Sequence, residues 1–161
     1  MVALEAMRRL VVQQEQLLAT RNFLRRMGEK HLEGLLVWAG VLQGETCEIC
    51  SVVVPGQSSM ATASGLLLSL DDESLHALNL HLYESGMRLI AQVHSHGEHA
   101  FHSETDNKHS IVTALGGLSI VIPHFASSDE LLEDCAVFQL SREGWIELSE
   151  LEVRVLIEVK T

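Results

Sequence analysis

The sequence predicts a mixed α/β fold in which helices pack against one central sheet. Short apolar runs of strand length recur between Glu33 and Leu148, and stretches with apolar residues at helical spacing are interleaved with them. The chain has 161 residues, of which 47% are hydrophobic, so it can bury a core of its own. We therefore expect a single domain over residues 10–159, with residues 1–9 as an N-terminal extension or a first strand.

The first part of the chain predicts a helix followed by a β-hairpin. Apolar residues recur at helical spacing from residue 13 to 27, and Gly28 is expected to end this helix. The apolar runs 33–42 and 47–54 are separated by a short polar segment containing Gly44, which suits a turn between antiparallel strands. Residues 55–59 are expected to form a loop.

Helix signals and further strand-like runs alternate in the rest of the chain. Asp71 or Asp72 is expected to cap a helix that stops at Gly86. Ser103 is a good N-cap for a second helix, from Glu104 to about residue 115. The other segments predict strands at 65–69, 88–93, 118–122, 135–140 and 145–148, a polar surface loop at 124–134, and helix or strand at 150–159, where alternating apolar residues favour a strand.

The charge balance narrows the class of partner. The formal net charge of −11 would repel a phosphate backbone, so nucleic acid is not expected as a substrate, whereas a basic or neutral protein would suit. We expect no signal peptide and no membrane span, and therefore a cytoplasmic protein. The three cysteines are an odd number and include one lone pair, Cys47 and Cys50, on opposite faces of a predicted strand; we expect them to be reduced and structural.

The segment after the predicted strand 88–93 carries the residues most suited to chemistry. His94 and His96 are two residues apart, so an extended chain projects both imidazoles to the same side. If Ser103 caps a helix, Asp106 lies in its first turn and can point back at the strand end. Two imidazoles and one carboxylate leave a fourth position open, which is the composition of a catalytic zinc site. An alternative frame would use His99 or His102 as a ligand.

These residues resemble the His-x-His and Ser-x-x-Asp signature of the JAMM (JAB/MPN-type) metalloproteases. The segments 33–40 and 115–123 are similar to the bacterial branch in particular, and the resemblance covers roughly residues 10–148. Two features depart from the family pattern. The loop between His96 and Ser103 is one residue shorter than usual, and Gly97 stands where most relatives have proline.

The resemblance implies a curved, mostly antiparallel MPN-type sheet flanked by helices, and a zinc isopeptidase that cleaves ubiquitin-like proteins from their conjugates. The zinc would be bound by His94, His96 and Asp106, and Ser103 would stabilise the oxyanion instead of serving only as a helix cap. Glu33 opens an apolar strand at the position where the family carries its proton-shuttling glutamate. Glu29 is the alternative for this general base.

The partner implied by the resemblance is a ubiquitin-like protein, together with companion E1- and E2-like enzymes, in a bacterial conjugation system that acts in antiviral defence. Two alternatives stay open: a peptidase that processes a sulfur carrier, and a non-catalytic scaffold of the MPN type. A hydrolase of small molecules or nucleic acid fits less well. The remaining histidines are expected to have no direct chemical role and, outside the site, to be exposed: His31, His76, His81, His99, His102, His109 and His124.

Overall fold

The computed structural model describes residues 3–62, 65–101 and 110–161. Three α-helices lie in these segments: α1 (Gln14–Glu29), α2 (Asp72–Ser85) and α3 (Glu150–Leu156). The strands are β1 (Arg9–Gln13), β2 (Leu35–Gln43), β3 (Thr46–Val53), β4 (Ser58–Thr62), β5 (Gly65–Ser69), β6 (Arg88–Ser95), β7 (Leu118–Ile122), β8 (Ala136–Ser141), β9 (Gly144–Glu147) and β10 (Ile157–Lys160). None of the described helices is long and apolar enough to cross a membrane.

Eight strands form one curled sheet in the order β10-β1-β3-β2-β6-β7-β8-β9, while β4 and β5 form a separate two-stranded sheet among the described residues. The pairings β2–β3, β2–β6, β4–β5, β7–β8 and β8–β9 are antiparallel, and β1–β3, β1–β10 and β6–β7 are parallel. The predicted class, a mostly antiparallel sheet flanked by helices, is confirmed. Strands β2 and β6 lie at the centre and are buried along most of their length, so polar residues on them are unusual.

A core packs between the sheet and α1. Trp38 of β2 is fully buried, and its indole N–H donates a hydrogen bond of 3.0 Å to the hydroxyl of Thr20 on α1. That hydroxyl in turn donates to the carbonyl of Gln16, at 2.8 Å. Each of these buried polar groups therefore has a partner, as the energetics of desolvation require. Leu4 and Met7 are also buried in this core, ahead of the first strand.

Several predicted element boundaries differ from the structure. Strand β2 begins at Leu35 and not at residue 33, so Glu33 precedes the strand that it was expected to open. Helix α1 does not end at Gly28 but continues to Glu29. Residues 150–159 are neither all strand nor all helix: Ser149 and Glu152 form a reciprocal capping box that starts α3, and β10 follows it directly. Residues 58–59, expected in a loop, belong to β4. The caps of α2 are as predicted, with Asp71 accepting the N–H of residue 74 and the C-cap glycine at positive φ.

The helix predicted from Glu104 to about Leu115 falls mostly outside the described residues. Its described end, residues 110–115, is not helical. The reason is a buried side chain on β6: the Oε1 atom of Gln92 accepts the N–H groups of Ile111 and Val112, at 2.9 and 3.1 Å. These amides are therefore bonded to a side chain where a helix would bond them to its own backbone.

Candidate metal centre

His94 and His96 lie at the carboxyl end of β6, in the middle of the sheet. Strand β6 pairs with β2 on one side and with β7 on the other. Both imidazoles are therefore nearly enclosed, with 2% of the surface of His94 and 6% of the surface of His96 exposed. The two Nε2 atoms are 3.2 Å apart, and the ring planes are inclined at 59°. The rings thus lie on the same side of the chain, as period-two alternation predicts.

The hydrogen bond on the other ring nitrogen of His96 sets its tautomer. Nδ1 lies 3.3 Å from the carbonyl oxygen of His99, and because a carbonyl can only accept, Nδ1 carries the proton. The Nε2 atom then presents its lone pair towards His94. The ring of Phe101 packs edge-on against the same imidazole, with centroids 4.7 Å apart. A backbone carbonyl on the second nitrogen is a common partner of metal-binding histidines.

The spacing of the two nitrogens suits zinc. Ligands at about 2.05 Å in a tetrahedral arrangement are separated by about 3.3 Å, close to the 3.2 Å between the two Nε2 atoms. Neutral imidazoles are also ordinary zinc donors. Within residues 3–62, 65–101 and 110–161, no group of three or more His, Cys, Asp or Glu side chains could hold a metal ion. The predicted residues Ser103 and Asp106, and the alternative ligand His102, lie outside the described residues.

The pairing between β2 and β6 brings the start of β2 beside the histidines, and Glu33 lies two residues ahead of that start. Leu35 is the register partner of His94, and Gly34 and Ser95 exchange two hydrogen bonds of 3.0 Å through the Ser95 hydroxyl and backbone N–H. If the same register continued past this pair, beyond the ends of β2 and β6, Glu33 would lie opposite His96. Directly opposed residues of antiparallel strands project from the same face of the sheet. Glu33 is half-buried, whereas the alternative base Glu29 is exposed at the end of α1.

The predicted surface positions of four described histidines are confirmed: His31, His76, His81 and His124 are exposed. His99, near the site, is exposed as well. His99 is nevertheless part of the site through its backbone, since its carbonyl orients the ring of His96.

A second glutamine, not singled out in the sequence, anchors the first residue of β2. The side-chain amide of Gln57 accepts the N–H of Leu35 and donates to the carbonyl of the same residue, both at 2.7 Å. Strand β3 begins its pairing with β2 only at Val37, so among the described residues no strand pairs with Leu35 on the side opposite β6. The glutamine side chain therefore replaces a missing strand beside the residue that pairs with His94.

The segment that follows β7 contains a left-handed turn that the sequence does not predict. His124, Phe125 and Ala126 have φ angles of 53°, 52° and 58°, although none of them is glycine. Such conformations cost of order 1–3 kcal/mol each, so surrounding contacts must stabilise them. Residues 124–134 were expected to be a surface loop, but Ala126 and Leu131 are buried in the core. No glycine or proline pattern within the turn gives a signal for it.

A groove of about 530 Å³ lies between α1, residues 129–133 and the end of β10, and is lined in part by Leu18, Arg21 and Val159. None of the predicted site residues contributes to it. Its position alone gives no indication of a function.

The fold and the histidine pair together describe an α+β protein with a candidate metal centre at the end of a central strand. The solution structure of protein DSY2949 from Desulfitobacterium hafniense superimposes with a TM-score of 0.67 at 16% sequence identity, over 94% of this chain and 92% of that one. At this identity, the likeness shows the fold. No protein-family model matches the chain.

A relative of known sequence identifies the family. The probable metalloprotease y4jG of Sinorhizobium fredii (strain NBRC 101917 / NGR234) is 32% identical over 160 residues, which cover 99% of each chain. The chain belongs to the family of this probable metalloprotease.

Proposed function

We propose that the chain is a zinc-dependent peptidase of the JAMM type. It would cleave after the C-terminal tail of a ubiquitin-like protein, either removing this modifier from a conjugate or processing its precursor. The observation that carries the proposal is the separation of 3.2 Å between the Nε2 atoms of His94 and His96. Membership of the family of a probable metalloprotease supports a metal-dependent peptidase in general. The finer assignment depends on the resemblance of the His-x-His, Ser-x-x-Asp segment.

His94, His96 and Asp106 would hold the metal. When bound, zinc would polarise the scissile carbonyl and lower the pKa of a water molecule to about 7. The His96 ring is suited to this role because the carbonyl of His99 keeps its proton on Nδ1. Asp106 is proposed from its spacing and from the resemblance.

Glu33 would serve as the general base. A position opposite His96, as the extended β2–β6 register suggests, would let its carboxylate reach a water molecule on the same face of the sheet. It would take a proton from that water and return it to the leaving amine. Ser103 would donate a hydrogen bond to the oxyanion, a contribution of about 3–4 kcal/mol to the barrier. The hydrogen bonds between Gly34 and Ser95 hold the two strands in the register that this requires.

An extended peptide tail could bind by adding a strand to a sheet edge. In the part of the chain that the structure describes, the β4–β5 hairpin pairs only with itself, and Gln57 directly before it binds the first residue of β2, so this edge begins beside the candidate centre. The net charge of −11 suits a basic or neutral partner. The three free cysteines suit a cytoplasmic setting, in which companion E1- and E2-like enzymes would act in antiviral defence.

The first experiment measures metal content by elemental analysis, beside cleavage of a panel of fusions to ubiquitin-like proteins and sulfur carriers. We expect about one zinc per wild-type chain, and loss of both zinc and cleavage in His96→Ala. The matched control is His76→Ala, an exposed histidine on α2, which should leave both unchanged. Preferred cleavage of a sulfur-carrier fusion would move the substrate to that class without changing the mechanism.

Two further variants separate the catalytic roles from metal binding. Glu33→Gln should keep its zinc and lose about 10²–10⁴-fold in kcat, as expected for a general base. Ser103→Ala should lose far more activity than stability. If activity and stability fell in step, Ser103 would be only a helix cap. Wild-type protein that takes up no zinc and cleaves no fusion would contradict the proposed function and favour a non-catalytic scaffold.

A further inference from the structure

We propose that Phe125 is a positioning residue for His96, and that the left-handed turn at 124–126 exists to place it. The inference rests on the proposed metal site and adds a role for residues outside the His-x-His, Ser-x-x-Asp pattern. It is carried by the contacts that join this turn to the loop leaving β6.

Three backbone hydrogen bonds attach that loop to its neighbours, one to the end of β7 and two to the turn. The N–H of His96 donates to the carbonyl of Ile122, and its carbonyl accepts the N–H of Phe125, both at 2.8 Å. Two residues further on, the carbonyl of Glu98 accepts the N–H of His124, at 2.9 Å. One peptide group of the histidine is thus held by the last residue of β7 and the other by the turn that follows it. The N–H of Phe125 reaches His96 from within the left-handed turn, where its own φ is 52°.

The ring of Phe125 occupies the space beside two glycines. A Cβ atom on Gly97 would lie 2.9 Å from the tip of the ring, and one on Gly28 of α1 would lie 2.4 Å from the Cβ atom of Phe125. Real Cβ atoms essentially never approach so closely. The ring has no room to move away from Gly97, because α1 packs against Phe125 at Gly28. The glycine at residue 97, where the family pattern has proline, is therefore matched to the phenylalanine.

Arg25 of α1 holds the turn from the other side. Its Nε donates to the carbonyl of Ala126 at 2.7 Å, and its Nη2 donates to the carbonyls of Ser127 and Ser128 at 2.8 and 2.9 Å. The same nitrogen contacts the carboxylate of Asp129 at 3.0 Å. One guanidinium thus binds successive carbonyls that leave the turn, and α1 supports the strained backbone. Strain that is maintained by contacts at the edge of a candidate site is typical of functional geometry.

The test compares zinc binding with stability. Phe125→Ala should raise the dissociation constant for zinc by about 10- to 100-fold, the usual effect of removing a group that orients a metal ligand. The matched control is Leu156→Ala, a core truncation beside the far edge strand β10, which should lower the melting temperature without changing zinc affinity. Unchanged zinc affinity in Phe125→Ala, with stability reduced, would make Phe125 a packing residue and overturn the proposal.

A double-variant cycle tests the match between the ring and the glycine. Gly97→Ala alone should weaken zinc binding, because the added Cβ meets the ring. Gly97→Ala combined with Phe125→Ala should bind zinc no more weakly than Phe125→Ala alone, so the two effects should not add. Additive losses would contradict the match. If Phe125→Ala does not fold, Phe125→Leu takes its place, with a smaller loss expected.

The metal-free protein separates this inference from the proposed function. The imidazole NMR resonances of His96 should shift in Phe125→Ala and stay unchanged in Leu156→Ala, whether or not the wild type binds zinc. Wild-type protein without zinc affinity would end the proposed function, while the His96 resonances would still decide the positioning role. Identical resonances in Phe125→Ala and wild type would refute it.

Discussion

Replacing Gln92 by leucine should destabilise the protein by about 2–4 kcal/mol. The side chain is 3% exposed, and its Oε1 accepts three hydrogen bonds from one short segment: the hydroxyl of Ser110 at 3.0 Å, the N–H of Ile111 at 2.9 Å and the N–H of Val112 at 3.1 Å. Its Nε2 donates to the hydroxyl of Ser119 on β7, also at 3.1 Å. Leucine preserves much of the bulk and removes every one of these bonds.

The magnitude follows from which groups lose a partner. A buried donor without an acceptor costs about 1–3 kcal/mol, and Val112 is only 3% exposed, so water cannot replace the lost bond there. Ile111 is half-buried, so its N–H contributes less. The Ser110 hydroxyl keeps a second acceptor, the carbonyl of Val112, at 3.0 Å. The two amides therefore account for most of the loss.

Urea unfolding measures the effect, and native-state amide exchange locates it. The variant should lower the midpoint without changing the slope, and the amides of Ile111 and Val112 should exchange faster than their neighbours. The control is Gln139→Leu on β8, a half-buried glutamine with a single bond of 3.2 Å to the carbonyl of Gly116, which should cost about 0.5–1.5 kcal/mol at most. Equal losses in the two variants, with unchanged amide exchange, would refute the reasoning.

Three further outcomes are expected. The hydrogen bond from the N–H of Ser74 lowers the pKa of the Asp71 carboxyl. The contribution of this carboxylate to stability is therefore present above about pH 4 and is lost as the pH falls through the lowered pKa. Asp71→Asn should accordingly show a shallower loss of melting temperature from about pH 5 to about pH 2. Burial raises the pKa of the Cys47 thiol to about 12, so this thiol should react slowly with a thiol reagent. The exposed Cys50 should be labelled rapidly, and Cys50→Ser should abolish that rapid labelling. His124→Gly, at φ 53°, should raise the stability in urea by about 1 kcal/mol, whereas His76→Gly, in the interior of α2, should lower it by about the same amount.

Local patterns predicted the elements that carry the histidines. The apolar run ahead of His94 predicted β6, and the spacing of His94 and His96 predicted that their rings share a side. The hairpin around Gly44 and the cap at Asp71 were predicted for similar reasons, because turns and caps depend on residues close in sequence.

Contacts between distant residues could not be predicted in the same way. Gln92 and Gln57 bind backbone groups 19–20 and 22 residues away, and nothing in the neighbouring sequence marks them. The turn at Phe125 lacks the glycine that a left-handed backbone normally requires. It is stabilised instead by Arg25, a hundred residues earlier in the sequence, so no local pattern predicts it. For residues 150–159 the sequence left helix or strand open, and alternating apolar residues favoured a strand; the capping box of Ser149 and Glu152 is the local signal that marks the start of α3.

The hydrogen bond between Gly34 and Ser95 joins residues that are 61 positions apart, whereas hairpins such as β8–β9 close over a few residues. Contacts of long sequence separation incur a larger loop-closure entropy and form slowly during folding. The pairing of β2 with β6 beside the candidate metal centre should therefore form after the hairpins. In a refolding experiment, acquisition of native metal affinity would report completion of the central sheet, a later event than the gain of strand content.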